Sequence, residues 1–305
     1  MYTFIVNPNA RTGLGLKVWN EVEDILMERN VRYQVFLTKY QKHATNIARK
    51  LTSGSKRCTL IILGGDGTIN EVINGICDFS TVTLGYIPIG SSNDFARGMH
   101  LSVNPRKALE NILMPSRFTY LNIGMLQYAE QTRRFAVSSG FGFDAQVCHY
   151  VATSRLKRFL NKLSLGKLCY LGIALKSLLF QTPKAMSVIL DGKKNISFEK
   201  VYFVAFMNQK YEGGGFMFCP EANPSDNLLD VMVVDSLPKL KILFLLPTAF
   251  FGKHTHFKGI HIYRCRRVHI KSEIPLPLHT DGEPVFAQRE ATVSLENTKV
   301  RFIIS

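Results

Sequence analysis

The pattern of apolar and polar positions predicts strands alternating with helices through about residue 113. Short apolar runs predict strands, and apolar residues spaced three and four apart predict helices. The predicted strands are Phe4–Val6, Tyr33–Leu37, Thr59–Leu63 and Thr83–Ile89, and the predicted helices are Leu14–Leu26, Ala44–Leu51, Thr68–Ile76 and Pro105–Leu113. This alternation is typical of a parallel sheet with right-handed crossovers, so we expect a doubly wound α/β domain.

From about residue 118 the pattern changes to short strands with few helices between them. Asp191-Gly192, between Ala185–Leu190 and Ile196–Phe206, predicts a β-hairpin. A helical stretch is predicted from about Asp144 to Phe180. Further strands are predicted at Phe118–Gln127, Arg133–Ser139, Leu228–Val234, Val268–Lys271, Ala291–Leu295 and Val300–Ile304. We therefore expect a second, mostly antiparallel β-rich domain that begins near residue 124.

The stretch Thr59–Gly75 combines an apolar strand, a glycine turn and the start of a helix. Gly64, Gly65 and Gly67 follow the apolar run, and Thr68 and Glu71 have the spacing of a capping box. Glycines let a phosphate approach the backbone, and the positive end of the helix dipole attracts it. The stretch therefore predicts phosphate or nucleotide binding, although a tight turn without a ligand would use the same glycines.

Polar residues follow each of the predicted parallel strands. They lie at Asn7–Gly13, Thr38, Gly64–Asn70 and Gly90–Asp94. Ligands of such sheets bind beyond the carboxyl ends of the strands, where these segments would converge. We interpret this edge as a nucleotide cleft, in which acidic residues would meet a ribose or a magnesium ion.

The net charge predicts an anionic partner. Lys and Arg number 38 and Asp and Glu number 23, which gives +15. Nucleic acid, ATP and an acidic membrane surface all carry the complementary charge. No helix-turn-helix, RNP-like or zinc motif accompanies the charge, so we expect no nucleic-acid binding.

Cysteine usage and hydropathy predict a cytoplasmic protein that does not span a membrane. The six cysteines are scattered without a C-x-x-C pair and are interpreted as reduced thiols. The segment Met1–Pro8 has the pattern of a strand and lacks the basic start and apolar block of a signal peptide. The most apolar run, Ile242–Phe251, is about half of a membrane span and contains Pro247.

Two segments mix basic and apolar residues. Arg155–Lys162 is compatible with contact to a membrane surface or with a helix whose basic face is solvated. Lys239–Lys258 contains phenylalanines among lysines and histidines. This second segment is compatible with a membrane edge where an acyl chain would enter, or with ordinary core. The sequence leaves both choices open.

Three motifs, taken together, resemble the diacylglycerol kinase catalytic-domain family. They are Gly64-Gly65-Asp66-Gly67-Thr68, Gly90-Ser91-Ser92-Asn93-Asp94-Phe95 and Asp281-Gly282-Glu283. The family includes bacterial lipid kinases and the sphingosine and ceramide kinases, and the resemblance covers the whole chain. It implies an ATP-binding catalytic domain at residues 1–124, completed by a returning strand at about 296–305, and a β-rich lipid-substrate domain at residues 125–295.

The resemblance also implies site residues. ATP would be bound by Asn7, Pro8, Asn9, Ala10, Arg11, Thr38, Gly64, Gly65, Asp66, Gly67, Thr68, Ile69, Asn70, Ser91, Asn93 and Asp94. The predicted catalytic residues are Asp66, Asp281 and Glu283, and either of the last two could be the general base. Asn223, Asp226 and the carbonyl of Leu228 would form a magnesium loop. The chain departs from the family at Ala10-Arg11-Thr12-Gly13, where relatives tend to have Ser-Gly, at Ser91 in place of Thr, and at Asn227 in place of Gly.

The expected activity is transfer of the γ-phosphate of ATP, with Mg²⁺, to a lipid hydroxyl. Diacylglycerol is the leading acceptor, and a glycolipid, phosphatidylglycerol and a sphingoid base remain open. The +15 charge would bring the protein to the anionic inner face of the cell membrane. A kinase of a soluble substrate such as NAD is the alternative; it would share Gly64–Thr68, but Gly90–Phe95 favours a lipid kinase. Whether the chain forms a homodimer is open.

Overall fold

A computed structural model describes residues 1–153, 178 and 181–304 of the protein and divides the chain into two compact units. The first unit is Met1–Asn122 with Asn297–Ser305, and the second is Ile123–Glu296. The first contains a mainly parallel sheet with helices, and the second an antiparallel sheet. The fold class predicted from the sequence is confirmed.

The sheet of the first unit has the order β2-β1-β3-β4-β15-β5. Its strands are parallel except β5, which pairs antiparallel with β15. The strands are β1 (Tyr2–Val6), β2 (Tyr33–Leu37), β3 (Cys58–Gly64), β4 (Val82–Pro88), β5 (Phe118–Leu121) and β15 (Val300–Ile303). The helices are α1 (Ala10–Glu28), α2 (His43–Thr52), α3 (Asp66–Gly75), α4 (Asp94–Gly98) and α5 (Pro105–Leu113).

The core of the first unit forms where alternating strand residues meet the apolar faces of α1 and α5. Phe4 and Ile61 contribute from the strands, and Trp19 packs its ring 5.2 Å from that of Phe4. The predicted helix Pro105–Leu113 is confirmed. Its start follows from Asn104, whose side chain accepts a hydrogen bond from the Lys107 N–H, and from proline in the first turn.

The predicted capping box is wrong. Helix α3 begins at Asp66 with Gly65 as its N-cap, so Thr68 already lies inside the helix. Glu71 instead accepts hydrogen bonds from the N–H groups of Lys42, at 2.8 Å, and Ala44, at 3.1 Å. These N–H groups belong to the start of α2, where no intrahelical acceptor exists. The side chain therefore caps a neighbouring helix and not its own.

The second unit is built from antiparallel strands in the order β12-β11-β10-β8-β13-β14-β6-β7, with β9 pairing with both β10 and β13. The strands are β6 (Gly124–Tyr128), β7 (Gln131–Phe135), β8 (Ser138–Gly142), β9 (Lys184–Leu190), β10 (Lys194–Met207), β11 (Leu229–Asp235), β12 (Ile260–Cys265), β13 (Arg267–Thr280) and β14 (Glu283–Leu295). Two of its helices are α6 (Phe143–Thr153) and α7 (Lys239–Ala249). The predicted hairpin is confirmed as β9–β10, with Asp191 and Gly192 at positive φ.

One strand prediction in this region is wrong, and two others are shorter than the observed strands. The predicted strand Phe118–Gln127 consists of β5 and β6, which belong to different sheets. Apolar periodicity continues across this junction, so it carries no sign of the change of sheet. The predicted strands Val268–Lys271 and Ala291–Leu295 are parts of the much longer β13 and β14, whose register is interrupted between Lys271 and Leu276. Polar residues at this irregularity interrupt the apolar periodicity, so the pattern did not predict that the two strands continue beyond it.

The predicted helical stretch is described only in part. Helix α6 covers Phe143–Thr153. The remainder up to Phe180, including Arg155–Lys162, lies outside the described residues apart from Leu178. Within the described parts of the chain, no helix combines the length and apolarity that crossing a bilayer would need.

We expect Glu71→Ala to destabilise the first unit by about 1 kcal/mol, because two N–H groups at the start of α2 lose their acceptor. Glu71→Gln retains one acceptor oxygen and should lose less. Urea unfolding followed by circular dichroism measures both, and Glu28→Ala, at an exposed position near the end of α1, is the control. Equal stability of the Glu71 and Glu28 variants would contradict the capping role.

Candidate active site

The carboxyl ends of β1, β2, β3 and β4 lie side by side in the first unit. The N–H of Thr38 donates to the Val6 carbonyl at 2.8 Å, and the N–H of Asn7 donates to the Leu63 carbonyl at 2.9 Å. The N–H of Ile89 donates to the Gly64 carbonyl at 2.8 Å. The segments predicted to converge are therefore joined by main-chain hydrogen bonds at one edge of the sheet.

Two glycine loops pack backbone against backbone at this edge. A Cβ added to Gly65 would come within 3.1 Å of the Gly90 Cα, and one added to Gly90 would come within 2.8 Å of the Gly65 Cα. A side chain at Gly90 would therefore force the loops apart, and one at Gly65 would require the Gly90 backbone to shift by a few tenths of an ångström. The N-terminus of α3 begins at the same loop, so main-chain N–H groups and the helix dipole favour an anion here.

Asp66 links the two glycine-containing loops. Its Oδ2 accepts a hydrogen bond from the Asp94 N–H at 3.1 Å, and its Oδ1 accepts one from the Phe95 N–H at 3.2 Å. These two N–H groups start α4. These hydrogen bonds explain why an acidic residue, Asp66, occurs in a loop that attracts anions: it fixes the neighbouring loop after β4. Its predicted part in catalysis, ribose binding or metal binding stays a prediction.

Below the loops, the buried Tyr86 hydroxyl donates a hydrogen bond to the Gly64 carbonyl at 3.1 Å. Burial, together with the charges of Asp66 and Asp94, raises the pKa of Tyr86 well above its ordinary value. The tyrosine therefore remains a donor and supports the loop from below.

The backbone after β1 is constrained, because three residues near the start of α1, Arg11 to Gly13, depart from helical geometry and form a loop. Arg11 and Thr12, at φ 47° and 61°, precede Gly13 at φ 93°, so consecutive residues occupy the left-handed region. The Asn7 amide donates to Thr68 Oγ1 at 3.3 Å, and its oxygen accepts from the Asn9 N–H at 3.1 Å. Asn7 therefore joins this loop to the first turn of α3.

The other residues predicted to bind ATP lie at or near the same edge. Pro8 lies between β1 and α1, Ala10 is the first residue of α1, and Ser91 and Asn93 belong to the loop after β4. Ile69 and Asn70 lie within α3, where their side chains are buried. Asp94 is also buried and faces Arg97 across 3.7 Å.

The Asp281-Gly282-Glu283 motif forms the tight turn between β13 and β14, with Asp281 at φ 49° and Gly282 at φ 79°. Asp281 Oδ1 accepts hydrogen bonds from the N–H groups of Val137, at 2.8 Å, and Ser138, at 3.0 Å, and Oδ2 accepts one from Ala136 at 2.8 Å. Glu283 is half-buried, and among residues 1–153, 178 and 181–304 no hydrogen bond or ion pair to its carboxylate is present. Asp281 thus holds the turn in place, and Glu283 is the carboxylate that is available to a substrate.

Next to this turn lies a buried cluster that sequence reasoning missed. His279 is fully buried, with Nε2 at 3.0 Å from Asp144 Oδ2 and 3.2 Å from Glu212 Oε1. The Gly282 N–H donates to His279 Nδ1 at 3.1 Å. Gly140 leaves room for the cluster, since a Cβ there would lie 2.4 Å from His279 Nε2. One imidazole therefore connects the predicted catalytic turn to two carboxylates.

The titration of the cluster follows from burial and close charges. Burial and the neighbouring Asp144 charge raise the pKa of Glu212 to about 7, although His279 opposes the rise. Burial disfavours the charged ring, but Asp144, Cys148 and Glu212 outweigh it and raise the pKa of His279. These charges favour the doubly protonated ring, but the Gly282 N–H faces Nδ1 and needs an acceptor there, so in this geometry the ring is neutral and its proton lies on Nε2.

The contact between Gly282 and His279 argues against a metal at this cluster. Ligand atoms of Asp144, Cys148 and His279 lie within 4.8 Å of one another, as metal ligands would. A neutral histidine that binds a metal through Nε2 carries its proton on Nδ1, and here Nδ1 faces the Gly282 N–H, which needs an acceptor. We therefore interpret the cluster as a hydrogen-bond network.

Asp144 and Glu212 lie in the wall of an otherwise apolar cavity of about 360 Å³ in the second unit. The apolar wall comes from α6, β10, β11 and α7 and includes Phe143, Phe203, Met232, Leu245 and Phe250. Within the described residues, Glu212 Oε2 is buried without a hydrogen-bond partner. The Ser138 hydroxyl is near enough to lower the pKa of Glu212 but does not meet hydrogen-bond geometry. Two residues of the mainly apolar cavity wall thus have a buried polar atom without a hydrogen-bond partner among the described residues, Glu212 at Oε2 and His254 at Nδ1.

A sequence signal for this site did exist. Glu212 precedes Gly213, Gly214 and Gly215, and all three glycines adopt positive φ. An acid followed by such glycines indicates a special backbone where a ligand or another chain segment comes close. The pairing with Asp144 and His279 could not be found this way, since these residues lie far apart along the sequence.

The predicted magnesium loop does not fit a metal in its present arrangement. Asn223 Oδ1 accepts from the Ser225 N–H at 3.0 Å, and Asp226 Oδ1 accepts from the Leu228 N–H at 2.9 Å. The other oxygen of Asp226 pairs with Arg264, whose Nε also lies 3.4 Å from Asp230 Oδ1. A guanidinium therefore supplies the positive charge for both carboxylates. We derive no step through a metal at this loop.

Comparison with known proteins supports both units. The diacylglycerol kinase catalytic domain matches residues 1–123, and the YegS C-terminal NAD kinase beta sandwich-like domain matches residues 136–302. The protein named "Putative lipid kinase YtlR" of Bacillus subtilis is 31% identical over 285 residues, which cover 92% of each chain. A diacylglycerol kinase of Mycobacterium tuberculosis is 28% identical over 226 residues, or 73% of this chain and 70% of that one.

A solved structure supports the fold. The crystal structure of a diacylglycerol kinase from Bacillus anthracis superposes with a TM-score of 0.74 at 21% identity, over 100% of this chain and 96% of that chain.

Replacing Arg264 tests whether its guanidinium supplies the counter-charge for Asp226 and Asp230. We expect Arg264→Ala to lower the free energy of unfolding by about 1–3 kcal/mol, because the buried Asp230 carboxylate loses its counter-charge while the partial exposure of Arg264 limits the loss. Arg266→Ala, at an exposed neighbouring position, is the control. Urea unfolding is measured with and without millimolar Mg²⁺. A rise in wild-type stability with Mg²⁺ that Asp226→Asn abolishes would show that the loop binds a metal with Arg264 in place.

Proposed function

Because the chain belongs to the diacylglycerol kinase catalytic-domain family of lipid kinases, we propose that it transfers the γ-phosphate of ATP to a lipid hydroxyl. The observation that carries the proposal is in the second unit. An apolar cavity has its polar wall at Asp144 and Glu212, and His279 joins these residues to the turn that carries Glu283. This arrangement suits a substrate with an apolar body and a polar head.

In this proposal ATP binds to the first unit, at the carboxyl ends of β1 to β4. The close approach of Gly65 and Gly90 and the N-terminus of α3 support phosphate binding there. Asn7 and the constrained loop after β1 border the same site. Phosphoryl transfer depends on positioning and on neutralising charge, and main-chain N–H groups supply both.

Mg²⁺ is expected to accompany the nucleotide. The carboxylates of Asp66 and Asp94 belong to adjoining loops at this edge, and Asp94 is buried. Carboxylate oxygens are the protein ligands that Mg²⁺ prefers, and Asp66 retains a second lone pair on each oxygen beside the N–H that it accepts, so these two residues fit the ion. When bound, Mg²⁺ would neutralise charge on the phosphates.

We propose Glu283 as the general base for the lipid hydroxyl. A base must have a lone pair free to approach the proton it removes. Both oxygens of Asp281 accept main-chain hydrogen bonds, which hold that side chain in the turn. Asp281 then positions the turn, and Glu283 takes the proton of the hydroxyl.

Diacylglycerol is the acceptor that we propose first, with phosphatidic acid as product. It has an apolar body for the cavity and one hydroxyl for phosphorylation. The name of the Mycobacterium tuberculosis relative and the description of the matching catalytic domain support this choice. The protonated form of Glu212 could donate a hydrogen bond from Oε2 to an ester carbonyl of such a lipid.

A soluble acceptor such as NAD is the second candidate. The match to an NAD kinase beta sandwich-like domain favours it. The apolar wall of the cavity argues against it, because a dinucleotide would leave its many polar groups facing apolar side chains.

The proposal is tested by transfer of labelled phosphate from ATP to diacylglycerol in mixed micelles and to NAD. We expect Glu283→Gln to reduce kcat by about 10²-fold or more with the stability unchanged, as for loss of a general base. Asp281→Asn should reduce activity and stability together, because it loosens the turn. Phosphorylation of NAD but of no lipid would favour the second candidate. Full activity of the Glu283→Gln variant would exclude Glu283 as the general base.

The pH dependence of lipid binding tests the part assigned to Glu212. Its pKa of about 7 leaves it protonated, and therefore a donor, below neutral pH. We expect the wild-type KM for diacylglycerol to rise about 3- to 10-fold as pH increases through 7, since the donor is lost. Glu212→Gln retains a donor and should flatten this rise, and Glu212→Ala should have the high KM throughout. The same pH profile in wild type and Glu212→Gln would contradict the assignment.

A further inference from the structure

Helix α7 is apolar on two opposite faces. At 3.6 residues per turn, Ile242, Leu245, Leu246 and Ala249 share one face, and all four line the lipid cavity. The opposite face presents Leu240, Leu243, Phe244 and Pro247, and each is exposed. A helix at the surface of a globular protein normally has polar residues on its outer face. The outer face of α7 therefore lacks the composition that contact with water would favour.

Phe251 extends this outer face beyond the end of the helix. We call Leu240, Leu243, Phe244, Pro247 and Phe251 the outer stripe. Phe244 and Phe251 are 75% and 74% exposed, which is far more than ordinary packing leaves to phenylalanine. Beside them Phe250 stacks on Phe216 with ring centroids 4.2 Å apart, and both rings line the cavity. The outer stripe thus adjoins the cavity wall.

The charge around the outer stripe has one sign. Lys239 and Lys241 lie on either side of it along α7, and Lys253 and Lys258 follow in the next turns. The sequence contains no Asp or Glu from Ser236 to Ser272. Apolar side chains flanked by lysines are the composition of helices that lie in the interface of anionic membranes. Lysine side chains can reach the headgroups while the apolar residues enter the acyl boundary.

We propose that the outer stripe inserts into the interface of an anionic membrane and holds the lipid cavity, on the other face of α7, next to the leaflet. This inference rests on the proposed lipid substrate and names the surface through which that substrate is reached. Continuity with the cavity distinguishes a membrane from a protein partner as the occupant. A lipid that enters from the leaflet needs no passage through water.

Fluorescence of an introduced tryptophan tests the insertion directly. The chain contains one tryptophan, Trp19, which is buried in the first unit. We expect Phe244→Trp to be quenched by vesicles of brominated phosphatidylglycerol and phosphatidylcholine. Phe286→Trp is the matched control, because Phe286 is 81% exposed on β14 of the same unit and lies outside the stripe. Equal quenching of the two variants, or none in either, would overturn the proposal.

Partition into vesicles measures the contribution of each kind of residue. We expect Phe244→Ala with Phe251→Ala to weaken binding to phosphatidylglycerol vesicles by about tenfold or more, and Phe286→Ala to leave it unchanged. Lys241→Ala should weaken binding about fivefold, and added salt should weaken wild-type binding. None of these residues lines the cavity, so phosphorylation of a lipid presented in detergent micelles should remain as in the wild type.

The result is separable from the proposed function because vesicle binding needs no ATP. If vesicle binding depends on the outer stripe but no lipid is phosphorylated, the membrane-binding proposal is supported and the proposed lipid kinase activity is rejected. Equal binding by wild type and the double phenylalanine variant would overturn the surface while leaving the activity intact. Gel filtration gives the remaining outcome: a wild-type dimer that Phe244→Ala dissociates would show that a second copy covers the stripe, and would overturn the membrane proposal.

Discussion

Main-chain N–H groups in the first turn of a helix, and some in the turns that lead into strands, lack main-chain partners, and carboxylate side chains supply partners at several places in this chain. Asp66 accepts from the start of α4, Glu71 from the start of α2, and Asp281 from Ala136 to Ser138. A charge-assisted hydrogen bond of this kind is stronger than a neutral one and has a defined direction. The glycine loops of the first unit and the turn of the second are held by this one kind of interaction.

The second unit contains polar groups that a purely structural core would avoid. Glu212 and His279 are buried and the side chain of Asp144 is only 9% exposed, and taking carboxylates out of water is costly even when they share a proton donor. Apolar residues of the same volume would often give a more stable core. Asp144, Glu212 and His279 lie between an apolar cavity and the turn that carries Glu283, so a role in substrate binding or catalysis explains why the fold tolerates the desolvation cost of these groups.

The fold could be predicted wherever local pattern and tertiary packing agree. The buried strand before Gly64, the helix that begins at Pro105 and the hairpin at Asp191-Gly192 each carry their signal within a short window. The capping box failed because the same residue types serve a neighbouring helix. The strand across Asn122 failed because periodicity does not report which sheet a strand joins.

The sequence alone determined the class of the two units, the glycine loops and the motif residues, because glycine, apolar runs and turn residues act over a few neighbours. Only the tertiary structure decided which groups the acidic side chains contact. Asp144, Glu212 and His279 meet only when α6, β13 and the segment after β10 pack together, since no local pattern links them. The two apolar faces of α7 are a further case: composition shows that the segment is mostly apolar, but only packing decides which face lines a cavity and which meets solvent.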